Sequence, residues 1–210
     1  MEVILVHGMG RSRLSFALLA ARLRAAGHQV RYLDYVAALH TLAHASARLT
    51  ARVRARPVGT RYALIGHSLG SVIIRQALTE LAADPPAVTC FLAAPIRACR
   101  AAKFFSRFRL YRLATGEMGC LLADDHFMDR LPMPPRTRIY AGVGGPRRSW
   151  LPFGTELNDG VLLLSEARTE DDAEVREVPN MHTLIMHSRA IADDIVNLLA
   201  SDQGLSAAPP

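Results

Sequence analysis

Residues 62–78 read YALIGHSLGSVIIRQAL. An apolar run of strand length, Tyr62 to Gly66, meets sequence with helical spacing in which Ile73, Ala77 and Leu81 fall on one side. One hydroxyl, Ser68, stands at the junction, with glycine two residues before it and two after. A chain that turns from strand to helix within so few residues brings the two elements into contact, and the flanking positions must then lack bulk. The expected consequence is a serine Oγ pushed out at the carboxyl edge of a sheet, where α/β proteins place their ligands. Serine also caps helices well, but a cap alone would not need glycine on both sides.

The same alternation runs outward in both directions. VILVH (3–7), HQVRYLD (28–34), AVTCFLAAP (87–95), TRIYAGV (137–143) and EVREVP (174–179) read as further strands. Between them lie helical patterns: Phe16, Leu19, Leu23 and Ala26 up to Gly27; Leu42, Leu49 and Val53 up to Pro57; and finally Ile191, Ile195 and Leu198. About six mostly parallel strands with helices on both faces make an α/β domain over residues 1–200. Residues 96–131 break the rhythm and read as a short cap-like excursion over the strand ends. The segment 201–210, SDQGLSAAPP, has little to bury and reads as a disordered tail.

Composition narrows the function classes. The net charge of +6 comes almost wholly from arginine, Lys103 being the only lysine. The arginines are scattered without the interleaved aromatics of a single-strand binder, so nucleic acid is not expected as a partner. Only 97–112 is locally basic. Cys90, Cys99 and Cys120 are odd in number and lack CxxC spacing, which favours reduced thiols over a disulfide framework or a zinc site. No apolar run approaches the roughly 20 residues that span a bilayer. MEVILVHG enters a strand at once without a basic leader, so the chain as it stands reads as cytoplasmic.

A serine hydroxyl becomes a useful nucleophile only when a base takes its proton and a carboxylate orients that base. Of the eight histidines, His28, His40 and His44 precede the serine, His7 ends a strand, and His67 beside the serine is expected to point away. His182, between the last strand and the last helix, is the expected base; His126 belongs to the excursion and His187 to the last helix. Asp159, between Asn158 and Gly160, has turn composition that exposes a carboxylate. Asp171 and Asp172 in an acidic run, Glu156 and Asp124 are weaker rivals. The backbone N–H of Leu69, at a helix N-terminus, and that of Met9, in the loop after the first strand, are the expected oxyanion donors.

With HGMG after the first strand, GHSLG at the third, NDGVLLLSEA before the last strand and a late histidine, the sequence resembles the α/β-hydrolase fold family. Within it, the chain looks like the small bacterial lipases and esterases related to triacylglycerol lipase. The order Ser68, Asp159, His182 is that family's order. The resemblance implies a catalytic triad of these residues, with Met9 and Leu69 as oxyanion donors. Three departures stand out: the first strand reads as the family's third, without the usual first hairpin, as in the minimal lipases; the acid lies some way beyond the strand ending near Val143; and the excursion at 96–131 reads as too short for a large lid.

The activity expected is hydrolysis of a small-molecule or lipid carboxylic ester through an acyl-enzyme, with no cofactor and no metal. Thioesterase, amidase and acyltransferase chemistry use the same groups, and a non-catalytic binding module on the same scaffold is the reading from another class. Phe104, Phe105, Phe108 and Tyr111 could wall an acyl chain, while the arginines among them could meet anionic lipid.

Overall fold

The computed structural model describes residues 1–169 and 173–206. Six parallel strands form one sheet: β1 (Glu2–Val6), β2 (Gln29–Leu33), β3 (Tyr62–His67), β4 (Val88–Leu92), β5 (Thr137–Gly142) and β6 (Glu174–Val178), in the order β2-β1-β3-β4-β5-β6. The inner strands β1, β3 and β4 are buried along their whole length, which is why they read as unbroken apolar runs rather than alternating ones. The edge strands β2 and β6 carry Gln29, Arg31, Glu174 and Arg176 and leave these residues open to water.

Helices cover both faces. On one, α1 (Ala17–Ala25), preceded by a 3-10 turn at Arg13–Phe16, packs with α8 (Arg189–Ser206) through Phe16, Leu19, Leu23, Ile191, Ile195 and Leu199. On the other, α2 (Leu42–Arg54) and α3 (Leu69–Leu81) bury Leu49, Val53, Ile73, Ala77 and Leu81. Gly27, at φ +84°, ends α1, and the Thr41 hydroxyl starts α2 by accepting from His44 N.

The excursion between β4 and β5 folds into α4 (Arg100–Phe105), α5 (Arg109–Leu121) and α6 (Asp125–Arg130). Its inner side joins the α2–α3 core through Ala102, Met118, Leu122 and Met128. Arg75 of α3, itself buried, donates to the carbonyls of Ile96, Met128, Leu131 and Pro132, and so grips both feet of the cap. Farther out, Glu117 accepts from Leu42 N at 3.1 Å, and a Cβ on Gly116 would lie 2.8 Å from the Ala37 carbonyl oxygen. The cap therefore reaches from the end of β4 to the loop after β2, on either side of β1 and β3 in the sheet order.

Two expectations need correction. The segment 201–210 is not a tail throughout: α8 continues to Ser206, and Asp202 is fully buried between Arg61 and Arg136. The helix continues because one of its acids, Asp202, finds two guanidinium partners; residues 207–210 lie outside the described residues. The last helix also starts later than expected, after a turn and a 3-10 segment at Ile185–His187. A short helix, α7 (Leu164–Ala167), lies between β5 and β6. Among the described residues no helix is long and apolar enough to cross a membrane.

Candidate active site

The turn between β3 and α3 is as tight as its glycines predict. A Cβ on Gly66 would fall 2.8 Å from Ser71 N, and one on Gly70 would fall 2.1 Å from the Val6 carbonyl oxygen, inside van der Waals contact. Ser68 sits at φ 51°, ψ −121°, a conformation that costs a residue with a side chain about 1–3 kcal/mol and persists only where the surroundings impose it. Here they do: Ser68 N donates to Leu92 O across the sheet, and the Ser68 carbonyl accepts from both Ser71 N and Ser71 Oγ. The Ser68 side chain makes no capping hydrogen bond to α3, so the hydroxyl is left for another partner.

That partner is His182. Its Nε2 lies 3.0 Å from Ser68 Oγ, and its Nδ1 lies 2.7 Å from Asp159 Oδ2. The other carboxylate oxygen of Asp159 accepts from Val161 N at 2.9 Å and Leu162 N at 2.7 Å. With one oxygen held by main-chain amides, the second can only face the imidazole. A carboxylate on Nδ1 draws the proton to that nitrogen and leaves the Nε2 lone pair for the serine proton. Asp159 is 2% exposed and His182 7%, which keeps bulk water from competing for either bond.

The distance of Asp159 from its strand in sequence vanishes in space. The loop 143–158 closes on itself, with Gly145 N donating to Asn158 O, and delivers Asp159 beside Gly142, the last residue of β5; a Cβ on that glycine would be 2.8 Å from Asp159 Cβ. Buried Asn158 ties the closure by donating to Pro146 O and Glu156 O and accepting from Gly160 N.

Leu69 and Met9 lie on the two segments that meet at Ser68. Leu69 is the first residue of α3, so its N–H has no carbonyl within the helix to bond and carries the positive end of the helix dipole. The loop bearing Met9 runs against the elbow, since a Cβ on Gly8 would lie 3.1 Å from Ser68 Cβ. Tyr35 anchors that loop: its Oη donates to His7 O at 2.7 Å while its ring stacks on the His7 imidazole.

The sequence profile of the alpha/beta hydrolase family matches residues 3–208. The chain belongs to that family. It is 36% identical over 100 residues to the probable esterase PIR7A of Oryza sativa subsp. indica, a match spanning 43% of this chain and 38% of that protein. The mature lipase BlEst2 of Bacillus licheniformis superposes with a TM-score of 0.67 at 18% identity, covering 94% of this chain and 91% of its own. A metagenomic carboxyl esterase, MGS0156, gives a TM-score of 0.73 at 17% identity, over 97% of this chain and 75% of its own.

In this alpha/beta hydrolase the described rivals Glu156, Asp124, His126 and His187 bond elsewhere or face solvent. Glu156 faces solvent and pairs with Arg100; Asp124 caps α6 through Phe127 N; Asp171 and Asp172 lie outside the described residues. His126 and His187 are exposed, the latter ahead of the last helix rather than inside it.

His67 is a correction. Its ring does not point away from the site but lies 5.1 Å from that of His182, with Nε2 3.0 Å from the His182 carbonyl oxygen. A lone histidine at the end of an otherwise apolar strand was the available signal. Glu166 gave none: its buried carboxylate, raised in pKa by that burial, accepts from Arg100 N and Leu163 N and ties the foot of the cap to the acid loop.

Among the described residues no cluster of ligating side chains suits a metal ion. An open depression of about 750 Å³ at the amino edge of the sheet is lined by Arg54, Arg56, Arg61 and Arg136, but Asp84 pairs with Arg56 and Asp202 with the last two. It lies across the sheet from Ser68.

Proposed function

We propose that the chain hydrolyses carboxylic esters through an acyl-enzyme. The observation that carries this is the continuous chain from Asp159 Oδ2 through His182 to Ser68 Oγ, at 2.7 and 3.0 Å, ending on a strained elbow. His182 Nε2 takes the Ser68 proton as Oγ attacks the ester carbonyl carbon, and Asp159 stabilises the imidazolium that forms. The negative oxygen of the tetrahedral intermediate lies toward the N–H groups of Leu69 and Met9. Collapse expels the alcohol, which takes the proton from His182; water, activated by the same nitrogen, then releases the acid and frees Ser68.

The neighbourhood supports an apolar substrate. Leu157, Val161, Met181 and Leu184, close in sequence to Asp159 and His182, are exposed, and the cap adds Phe104, Phe105 and Phe108. The cap also supports the nature of the surface it meets. Residues 97–112 include Arg97, Arg100, Lys103, Arg107, Arg109 and Arg112 and no acid, and Arg107, Arg109 and Arg112 form no ion pair among the described residues. Exposed aromatic rings interleaved with unpaired arginines match an anionic bilayer surface in both hydrophobicity and charge.

The deciding experiment is labelling with a fluorophosphonate probe followed by peptide mapping, with His182→Ala and Asp159→Ala alongside. Adduct on Ser68 that fades without His182 is the expected result. Hydrolysis of a p-nitrophenyl acyl series against the matching thioesters and anilides then separates ester from thioester and amide cleavage. Folded protein that takes no label refutes the reading and favours a binding module.

A further inference from the structure

We propose that His67 is a positioning residue for His182: it holds the carbonyl of the base from the residue next to the nucleophile, and thereby sets the separation of Nε2 from Ser68 Oγ. The inference rests on the triad reading above. His67 ends β3, a strand buried throughout, and is 1% exposed. A buried imidazole without a structural task is costly, because each of its ring nitrogens gives up water. One of them has a partner: Nε2, 3.0 Å from the His182 carbonyl oxygen.

The carbonyl can only accept, so Nε2 carries the proton and Nδ1 is bare. Among the described residues Nδ1 has no hydrogen-bond partner, and it faces Gly8, whose absent Cβ would come within 2.7 Å of it. Protonating Nδ1 would therefore place an unpartnered N–H and a buried charge beside His182. Burial and that neighbour push the His67 pKa down to about 3, so the ring stays neutral while His182 cycles through imidazolium.

The geometry explains why a grip on this carbonyl matters. His182 follows a strand end on an irregular turn, and its peptide N–H already donates to Asp159 O at 2.8 Å. Asp159 thus holds the base by its backbone N–H and by its Nδ1, both on the acid's side of the site. His67 supplies the hold from the nucleophile's side. It is covalently adjacent to Ser68, whose own N–H is fixed to Leu92 O, so its ring contact with the His182 carbonyl links elbow and base apart from the reacting bond. Loss of that link would leave substrate binding untouched and let the base drift, and a misplacement of about 1 Å can cost about 100-fold in rate.

The test compares His67→Gln, His67→Asn and His67→Leu on a soluble p-nitrophenyl ester. Glutamine carries an N–H at the reach of Nε2, asparagine only at the reach of Nδ1, and leucine none. The expected result is kcat within about threefold of wild type for Gln and lowered about 10- to 100-fold for Leu and Asn, with KM changed less than about twofold throughout. The downfield proton resonance of His182 Nδ1–H should persist in wild type and Gln and broaden in the other two. If Leu does not fold, the Gln–Asn contrast decides alone. Equal kcat in Gln and Asn, or kcat in folded Leu near wild type, overturns the proposal. Failure of the triad reading would look different: no fluorophosphonate label on wild-type Ser68, or full activity without His182.

Discussion

Gly142 and Asp159 lie at the two ends of a closed loop, so near one another that a Cβ on the glycine would fall 2.8 Å from that of the aspartate. The same Cβ would fall 2.6 Å from the Asn180 carbonyl oxygen, so the glycine is hemmed in from two sides. Gly142→Ala should push Asp159 aside and lower kcat about 100-fold while KM holds. Steady-state kinetics on a soluble ester checks this; unchanged kcat would mean that the loop yields instead.

The elbow stores strain that activity does not need to survive. Ser68→Ala and Ser68→Gly should both lose at least about four orders of magnitude in kcat. They should differ in stability. Alanine keeps the cost of φ 51°, whereas glycine removes about 1–3 kcal/mol of strain and gives back about 0.5–1 kcal/mol in unfolded-chain entropy. The glycine variant is expected to melt about 3 °C above the alanine variant.

Stability should fall on the acid side of neutrality because His67, His7 and His28 are all held below their ordinary pKa, in each case chiefly by burial. In the unfolded chain these rings take up protons near pH 6.5, while folded His67 does not until about 3. The unfolded state therefore binds more protons, and stability present above 6.5 is lost as the pH falls toward 3. At about pH 5, His67 alone accounts for about 2 kcal/mol. Glu166, raised by burial, softens the slope from the opposite side. Urea midpoints at about pH 7.5 and about pH 5 should differ in wild type and differ less in His67→Gln.

Arg75 should be worth more to the cap than its single position suggests. Removing the guanidinium in Arg75→Met leaves buried carbonyls of Ile96, Met128 and Leu131 without it, a loss of about 3 kcal/mol and about 8 °C in melting temperature. Limited proteolysis should cut 97–131 sooner in that variant. A melting point within about 2 °C of wild type would show that the feet of the cap are held by packing.

How far the molecule was legible in its sequence depended on the range of the forces at work. Strands β1, β3 and β4 announced themselves because burial on both faces demands apolar residues at every position, and GHSLG did so because the backbone clash at Gly70 admits nothing larger. Ser68, His182 and Asp159 could be picked out by residue type and order. The contacts of Arg75, Glu166, Asp202 and His67 could not. Each joins segments far apart in the chain, and nothing near Asp202 in sequence says that Arg61 and Arg136 wait for it. Asp159 shows both cases: its turn chemistry is local, but the closure that returns it to Gly142 depends on Asn158 meeting Pro146 across the loop.

The cap's outer surface carries the last prediction. Phe104, Phe105 and Phe108 are each about half exposed and cluster ring to ring, Leu110 and Leu113 are more than 70% exposed, and Arg107, Arg109 and Arg112 lie among them. Leaving so much apolar surface in water is unfavourable unless something covers it. Co-sedimentation with vesicles of phosphatidylcholine and phosphatidylglycerol should capture the protein at low salt and release it as salt rises, while pure phosphatidylcholine captures less. Each arginine near an anionic surface contributes about 1 kcal/mol, so reversing Arg107, Arg109 and Arg112 to glutamate should weaken binding at least about 100-fold. Phe104→Ser with Phe105→Ser should weaken it with the salt dependence kept. Hydrolysis of a short soluble ester should survive the arginine set. Absence of binding at low salt, or equal binding to neutral vesicles, would assign the patch to packing against protein instead.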